Sequence, residues 1–230
     1  MIKFKLTILL VIGMFAALHG YSQTENNYWL FLIHNQKLSK HWSLTGEVQL
    51  RSSDNLERLQ SLLLRPSVGY SFKEGHRVSL GYAYLENYTV VGDMEQTNPE
   101  HRIWEQYNIK TNIKRTEFTN RFRYEQRFVK RDETRFSQRF RYFFRFIFPL
   151  QSGQFNSGLY AALQNEVFLN VHNKENVNNS FFDQNRTYGS LGYRFSKKVD
   201  LEAGYIFRYQ KMTNSRLRNH IIQLALYTNF

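Results

Sequence analysis

The sequence contains no cysteine and only three prolines in 230 residues. A disulfide framework, which small secreted domains often use, is therefore excluded. After the N-terminal segment, no apolar run approaches the roughly 20 residues that a membrane-spanning helix needs, and the mean hydropathy is negative. These absences exclude a helical membrane protein and leave stability to backbone pairing and side-chain packing.

The N-terminal segment predicts export. Lys3 and Lys5 precede an uncharged run over 6–18, and the small residues Gly20 and Ser22 stand at positions −3 and −1 of a cleavage site. A basic start, a short apolar core and small residues before the cleavage site are typical of a secretory signal peptide. We therefore predict a signal peptide over 1–22 and one domain over 23–230.

Aromatic residues are abundant, with 20 Phe, 15 Tyr and 3 Trp. Between 117 and 148 the aromatic residues fall almost entirely on even positions and the arginines on odd positions. Since successive side chains of a strand point to opposite faces, this alternation predicts one apolar and one charged face. It is typical of a membrane barrel with lipid outside and a polar lumen inside. Seven of these odd-numbered arginines, here called the arginine ladder, are Arg121, Arg123, Arg127, Arg135, Arg139, Arg141 and Arg145.

Two other interpretations of this region are weaker. A helix would place Phe136, Phe140 and Phe144 on one face but Tyr142 on the other, whereas the two-residue period accommodates all of them. The formal net charge of +12 suggests a nucleic-acid binder. A base-stacking platform needs arginine and aromatic residues on one face, so we expect no nucleic-acid partner.

The period-two runs predict an all-β, antiparallel, up-and-down transmembrane barrel. An odd number of strands is unusual in bacterial single-chain barrels. We therefore expect 10–12 strands: either the segment 28–37 does not join the wall, or one of the long segments hides a second strand. The predicted segments are 28–37, 42–51, 59–72, 77–89, 102–113, 117–129, 134–148, 155–170, 182–195, 200–210 and 219–230.

The predicted connections alternate between short ones and longer, more polar ones, as expected for periplasmic turns and extracellular loops. The short class is Leu38–His41, Lys73–His76, Lys114–Thr116, Pro149–Gln154 and Ser196–Val199. The long class is Ser52–Arg58, Val90–His101, Lys130–Glu133, Val171–Phe181 and Lys211–Arg218. The last segment alternates apolar residues and ends in Phe230, which resembles the signal read by the barrel-insertion machinery of the outer membrane.

Several strings along the chain together resemble the domain of unknown function 2490 family, predicted outer-membrane barrels common in Bacteroidota. The strings are Leu38-Ser39-Lys40-His41-Trp42, Arg121-Phe122-Arg123-Tyr124-Glu125, Arg139-Phe140-Arg141-Tyr142, Asn165-Glu166-Val167-Phe168, Phe182-Asp183-Gln184-Asn185-Arg186 and Asn219-His220. The resemblance implies the fold and a bacterial outer-membrane location. It implies no catalytic residue, because the family's activity is uncharacterised.

The functional predictions concern the side chains that face the lumen. Because a narrow barrel fills its interior with side chains and buried arginines need carboxylate partners, we expect a largely plugged, structural or envelope-associated protein. The candidate partners of the ladder are Glu47, Glu117, Glu125, Glu166 and Glu202. One alternative is a narrow, anion-preferring pore.

A second alternative is an outer-leaflet lipid-modifying hydrolase, for which the candidate rim cluster is Asn165, Glu166, Asn185, Arg186, Asn219 and His220. The chain has no Gly-x-Ser-x-Gly nucleophile elbow, and we expect the side chain of His220 to point to the membrane interface. No catalytic residue, metal site or cofactor is predicted. The expected partners are outer-membrane lipid, lipopolysaccharide and the insertion machinery, and we expect a monomer.

Overall fold

The computed structural model describes residues 24–53, 56–91 and 94–230. The predicted signal peptide lies outside the described residues. The described chain forms one closed barrel of eleven strands, which pair in chain order around the wall. The strands are β1 Thr24–Lys37, β2 Trp42–Ser53, β3 Arg58–Lys73, β4 His76–Val91, β5 Met94–Ile113, β6 Thr116–Lys130, β7 Thr134–Pro149, β8 Gly158–His172, β9 Phe182–Ser196, β10 Val199–Lys211 and β11 Arg216–Asn229.

The first strand belongs to the wall, so the suspicion that the segment 28–37 might not join it was wrong. β1 pairs with β2 in antiparallel register and with β11 in parallel register, from Thr24 opposite Arg218 to Asn35 opposite Asn229. An odd number of strands gives the first and last the same direction, so closure requires one parallel pair. The observed eleven strands lie within the predicted range.

The connections lie at two rims. The C-terminal rim holds the connections 38–41, 74–75, 114–115, 150–157 and 197–198 together with Phe230. The N-terminal rim holds the connections 131–133, 173–181 and 212–215, together with the end of β2, the start of β3, the end of β4 and the start of β5. The predicted difference in length between the two classes does not hold, since 131–133 and 212–215 of the long class are no longer than 38–41 of the short class. Two further connections depart from their expected class. The long loop expected over Val90–His101 is mostly strand, because β4 and β5 pair as far as Val91 and Met94. The connection after Pro149, expected to be short, is instead the longest at its rim.

The connection 173–181 is tied down at the N-terminal rim. It contains the 3₁₀ turn Lys174–Asn176. The side-chain amides of Asn173 and Asn176 donate to the carbonyl oxygen of Phe136, over 3.2 and 2.9 Å, and Asn178 Nδ2 donates to the carbonyl oxygen of Lys211 over 2.8 Å. The loop therefore bridges the start of β7 and the end of β10 across part of the mouth.

The wall alternates as predicted, with the charged face inside. Leu64, Leu80, Leu191 and other apolar side chains are exposed on the outer face, whereas buried positions include the charged residues Arg65, Glu125 and Arg141. Glycines make room for large inner-wall side chains. A Cβ on Gly81 would lie 2.2 Å from the Trp104 ring, and one on Gly192 would lie 2.2 Å from the Tyr160 ring.

We expect Gly81→Ala to destabilise the barrel by about 1–3 kcal/mol, because the added methyl group must displace the buried Trp104 ring. Urea unfolding of the detergent-solubilised protein, followed by tryptophan fluorescence, measures the change. Gly46→Ala is the matched control, since a Cβ at Gly46 meets nothing within 4 Å. Equal midpoints for the two variants would show that the contact with Trp104 imposes no constraint.

Candidate functional site

The arginine ladder lies on the adjacent, antiparallel strands β6 and β7. Arg123, Arg139 and Arg141 are buried, and Arg121, Arg127 and Arg145 are half-buried in the lumen. Arg135 departs from the prediction: it is exposed, because it comes two residues after the connection 131–133 and lies at the mouth of the barrel. The structure thus brings six of the seven ladder arginines into the interior and leaves Arg135 outside the cluster.

Glu125 is the centre of the cluster. Its side chain is 0% exposed, and its two carboxylate oxygens accept hydrogen bonds from Arg139 Nη2 over 2.7 Å and from Arg141 Nη1 over 2.6 Å. Arg139 Nη1 also donates to Asp183 Oδ2 over 2.7 Å. Arg141 Nη2 donates to Glu166 Oε1 over 2.7 Å. These contacts join β6, β7, β8 and β9 across the lumen.

Further ion pairs extend the network to β2, β3 and β5. Arg121 Nη2 lies 2.7 Å from Glu166 Oε1, and Arg65 Nη1 lies 2.5 Å from Glu47 Oε2. Glu100 receives both Arg102 and Arg127, over 2.8 and 2.5 Å. A carboxylate shared by two guanidiniums keeps its charge inside the barrel.

Two of the five predicted carboxylate partners lie away from the centre. Glu202 pairs with Arg145 and also accepts a hydrogen bond from the Tyr227 hydroxyl. Glu117 pairs near the C-terminal rim with Arg194 over 2.7 Å and with Lys110 over 2.8 Å. Glu117 therefore has no ladder arginine among the ion-pair partners that the structure describes.

The sequence interpretation did not assign Arg65, Arg102, Glu100 and Asp183 to this cluster. Glu100 was assigned to a loop that is in fact part of β5. Arg65 and Arg102 share their inward parity with the buried residues Leu63 and Trp104, so strand parity could have placed them inside. Their partners could not be found in this way, because parity gives the face of a strand and not the residue opposite.

Aromatic rings cover the guanidinium faces. The guanidinium carbon of Arg123 lies 4.3 Å from the centroid of the Trp104 ring, and that of Arg141 lies 4.4 Å from the Phe168 ring. Both geometries are cation–π contacts, which are strongest where water is excluded. Arg123 and Trp104 are each 1% exposed, so this stacked pair is a sealed part of the interior.

Two cavities open into the barrel. One of about 490 Å³ extends inward from the N-terminal rim, where Gln60, Thr89 and Gln210 contribute to its wall. The other, of about 770 Å³, lies at the C-terminal rim beside Lys37 and Arg77. They share no lining residue, and Arg123, Trp104 and Glu125 line neither.

The predicted rim cluster does not form a single site. Glu166, Arg186 and Asn219 point into the lumen, whereas Asn165, Asn185 and His220 lie on the outer face, because neighbouring residues of a strand point to opposite sides. Asn165 and Asn185 hydrogen-bond each other, and His220 Nδ1 contacts the Tyr205 hydroxyl. A hydrolytic centre made of these residues would have to act across the wall.

Among the described residues, no group of three histidine, cysteine or acidic side chains is arranged to hold a metal ion. Nor does this part of the chain contain a helix long and apolar enough to cross a membrane.

We expect Glu125→Gln to destabilise the barrel by about 3–5 kcal/mol, because it leaves the buried Arg139 and Arg141 without their shared counter-charge. The urea midpoint and the heat-modifiable electrophoretic mobility of the detergent-solubilised protein measure the loss. Glu105→Gln is the matched control, since Glu105 is exposed on the outer face and accepts hydrogen bonds from Gln126. A Glu125→Gln protein as stable as the control would exclude a central role for this carboxylate.

Comparison of the sequence with known proteins identifies the family of this chain. An uncharacterized protein of Methylorubrum extorquens is 26% identical over 187 residues, which cover 80% of this chain and 79% of the relative. A family model described as protein of unknown function (DUF2490) matches residues 26–219, which run from β1 into β11. The chain belongs to this DUF2490 family.

Proposed function

We propose that the protein is an outer-membrane β-barrel whose lumen is closed by its own ion pairs, and that it has a structural or envelope-associated role. The single observation that carries this proposal is the separation of the two cavities beside Arg123, Trp104 and Glu125. An interior filled with hydrogen-bonded side chains favours a structural component of the envelope over an open channel.

The outer wall supports the membrane location. Exposed aliphatic residues such as Leu64, Leu163 and Leu224 occupy the middle of their strands. Aromatic side chains lie near the C-terminal rim, among them Trp42, Phe72, Phe148, Phe195 and Phe230. Phe128 and Phe136 pack together near the other rim, with ring centroids 5.1 Å apart. An apolar band between two aromatic girdles is the outer surface of a membrane barrel.

Polar side chains on the outer face of β5–β9 satisfy one another. The Tyr124 hydroxyl donates to Gln138 over 2.7 Å, and the Tyr142 hydroxyl donates to Asn120 over 2.8 Å. Because hydrocarbon offers no hydrogen bonds, polar groups that face lipid need such partners on the wall itself. These pairs are therefore compatible with a monomer surrounded by lipid and lipopolysaccharide.

The final residue supports the proposed recognition by the insertion machinery. Phe230 continues the apolar parity of Ile222 and Leu224, and its ring is about half exposed. Its backbone nitrogen donates to the carbonyl oxygen of Asn35 over 2.9 Å, and its own carbonyl oxygen accepts from Lys37 N over 2.6 Å. The ring is thus presented outward at a fixed point of the rim.

One observation favours the anion-preferring pore as a second candidate. The inward arginines outnumber the inward carboxylates among the described residues, and such an excess attracts anions. The arginines are Arg51, Arg65, Arg77, Arg102, Arg121, Arg123, Arg127, Arg139, Arg141, Arg145, Arg186, Arg194 and Arg208; the carboxylates are Glu47, Glu100, Glu117, Glu125, Glu166, Asp183, Asp200 and Glu202.

Planar-bilayer recording separates the two candidates. We expect no single-channel steps from the unmodified protein, because the two cavities share no lining residue and the buried Arg123 and Trp104 line neither. Arg123→Ala removes that side chain and should produce small steps, whereas Arg135→Ala, at the exposed mouth, should stay silent. Anion-selective steps from the unmodified protein would contradict the closed lumen and establish the pore.

The absence of cysteine allows a clean test of membrane topology. Ser152 lies in a connection of the C-terminal rim and Ser215 in one of the N-terminal rim, and both are exposed. If the last strand ends in the periplasm, a membrane-impermeant maleimide should label Ser215→Cys in intact cells and Ser152→Cys only after permeabilisation. Labelling of both variants in intact cells would rule out an outer-membrane span between the two rims.

A further inference from the structure

Three arginines converge on one tryptophan inside the cavity that opens at the N-terminal rim. The guanidinium carbons of Arg51, Arg186 and Arg208 lie 4.5, 5.2 and 5.8 Å from the centroid of the Trp29 ring. All four residues line the 490 Å³ cavity. They come from β1, β2, β9 and β10.

Neutral amides hold these arginines in place. Arg51 Nη2 and Nε donate to Gln49 Oε1 over 2.7 and 3.0 Å. Arg186 Nε donates to Gln184 Oε1 over 3.1 Å, and Arg208 Nη2 donates to Asn219 Oδ1 over 2.9 Å. An amide oxygen orients a guanidinium fork without cancelling its charge.

The carboxylate beside Arg186 is already engaged. Glu166 is its cross-strand partner, yet the Glu166 carboxylate receives Arg121 and Arg141, each over 2.7 Å. Within the described residues, no carboxylate oxygen lies within 4.0 Å of a guanidinium nitrogen of Arg51 or Arg186. The positive charge of Arg51 and Arg186 beside Trp29 therefore lies in the cavity without a paired carboxylate among the described residues, and it would attract an anion.

The cavity also offers apolar surface next to this cationic group. Phe31, Ile33 and Phe143 line the same cavity, and Phe168 lies under the Arg186 guanidinium at 4.7 Å. A bound molecule with an acidic head could therefore place a small apolar substituent against these side chains. Polar groups that fix a head beside apolar lining are typical of small-molecule sites.

We infer that Arg51, Arg186 and Arg208 around Trp29 form a binding site for a phosphate group carried on a small apolar substituent. Arginine forks match phosphate oxygens in a bidentate manner. A phosphate dianion can accept hydrogen bonds from several guanidiniums at once, whereas a carboxylate has one charge and two oxygens. This inference rests on the proposed function, because a closed lumen makes the cavity a binding site instead of a passage.

The test is ligand titration of the full, detergent-solubilised protein, followed by tryptophan fluorescence and calorimetry. The probes are inorganic phosphate, phenyl phosphate, benzoate and short-chain phosphatidic acid. We expect phenyl phosphate to bind more tightly than benzoate. Arg51→Gln and Arg186→Gln should each weaken its binding at least about tenfold, because each removes charged hydrogen bonds. Arg135→Gln, an arginine at the same rim that does not line the cavity, should bind as the unmodified protein does.

The probes also distinguish the source of the phosphate. Binding of phosphatidic acid together with phenyl phosphate identifies a site open to lipid headgroups, and binding of phenyl phosphate alone identifies a soluble ester site. Equal affinities for phenyl phosphate and benzoate, or unchanged affinity in both glutamine variants, would overturn the assignment. Heat-modifiable mobility shows whether each variant is folded; if neither is, absence of saturable phenyl phosphate binding to the unmodified protein decides against the site.

Failure of this inference is separable from failure of the proposed function. If the protein shows no channel steps in bilayers and binds no phosphate probe, the closed lumen stands and only the ligand site is contradicted. If the protein conducts anions in bilayers, the closed lumen itself is contradicted, whichever probes bind.

Discussion

The buried carboxylate of Glu125 is the interaction on which the interior depends. Removing a charge from water costs several kcal/mol unless partners replace the lost hydration. Arg139 and Arg141 supply those partners and are in turn held by Asp183 and Glu166. Because these residues come from β6, β7, β8 and β9, one charge group fixes the relative positions of four strands from inside.

The outer wall requires apolar side chains, whereas the lumen requires charges that are paired with one another. The strand backbone of β6 and β7 is shared between a lipid-compatible aromatic face and a guanidinium face. Aromatic rings also lie in the lumen, where Trp104 and Phe168 stack against the guanidinium groups of Arg123 and Arg141. The aromatic content of the chain thus serves two separate purposes, a wall surface and a cover for buried cations.

The alternation of single residues predicted most of the wall, because strand parity is a local property. It identified β6 and β7, the inward direction of Arg139 and the outward direction of His220. It could not predict that Arg141 meets Glu166, or that Arg51 and Arg208 meet at Trp29, since those contacts join residues far apart in the chain. The place of β1 was missed for the same reason: its parallel partner is the last strand.

The seam between β1 and β11 has a consequence for folding order. Its two strands are the most distant in the sequence, so the loop-closure entropy of this contact is the largest in the barrel. Until they meet, the other ten pairings leave a sheet with two bare edges, which invite pairing with other chains. The hydrogen bonds between Phe230 and β1 then close the last gap. Protection from aggregation therefore arrives only when β1 pairs with β11.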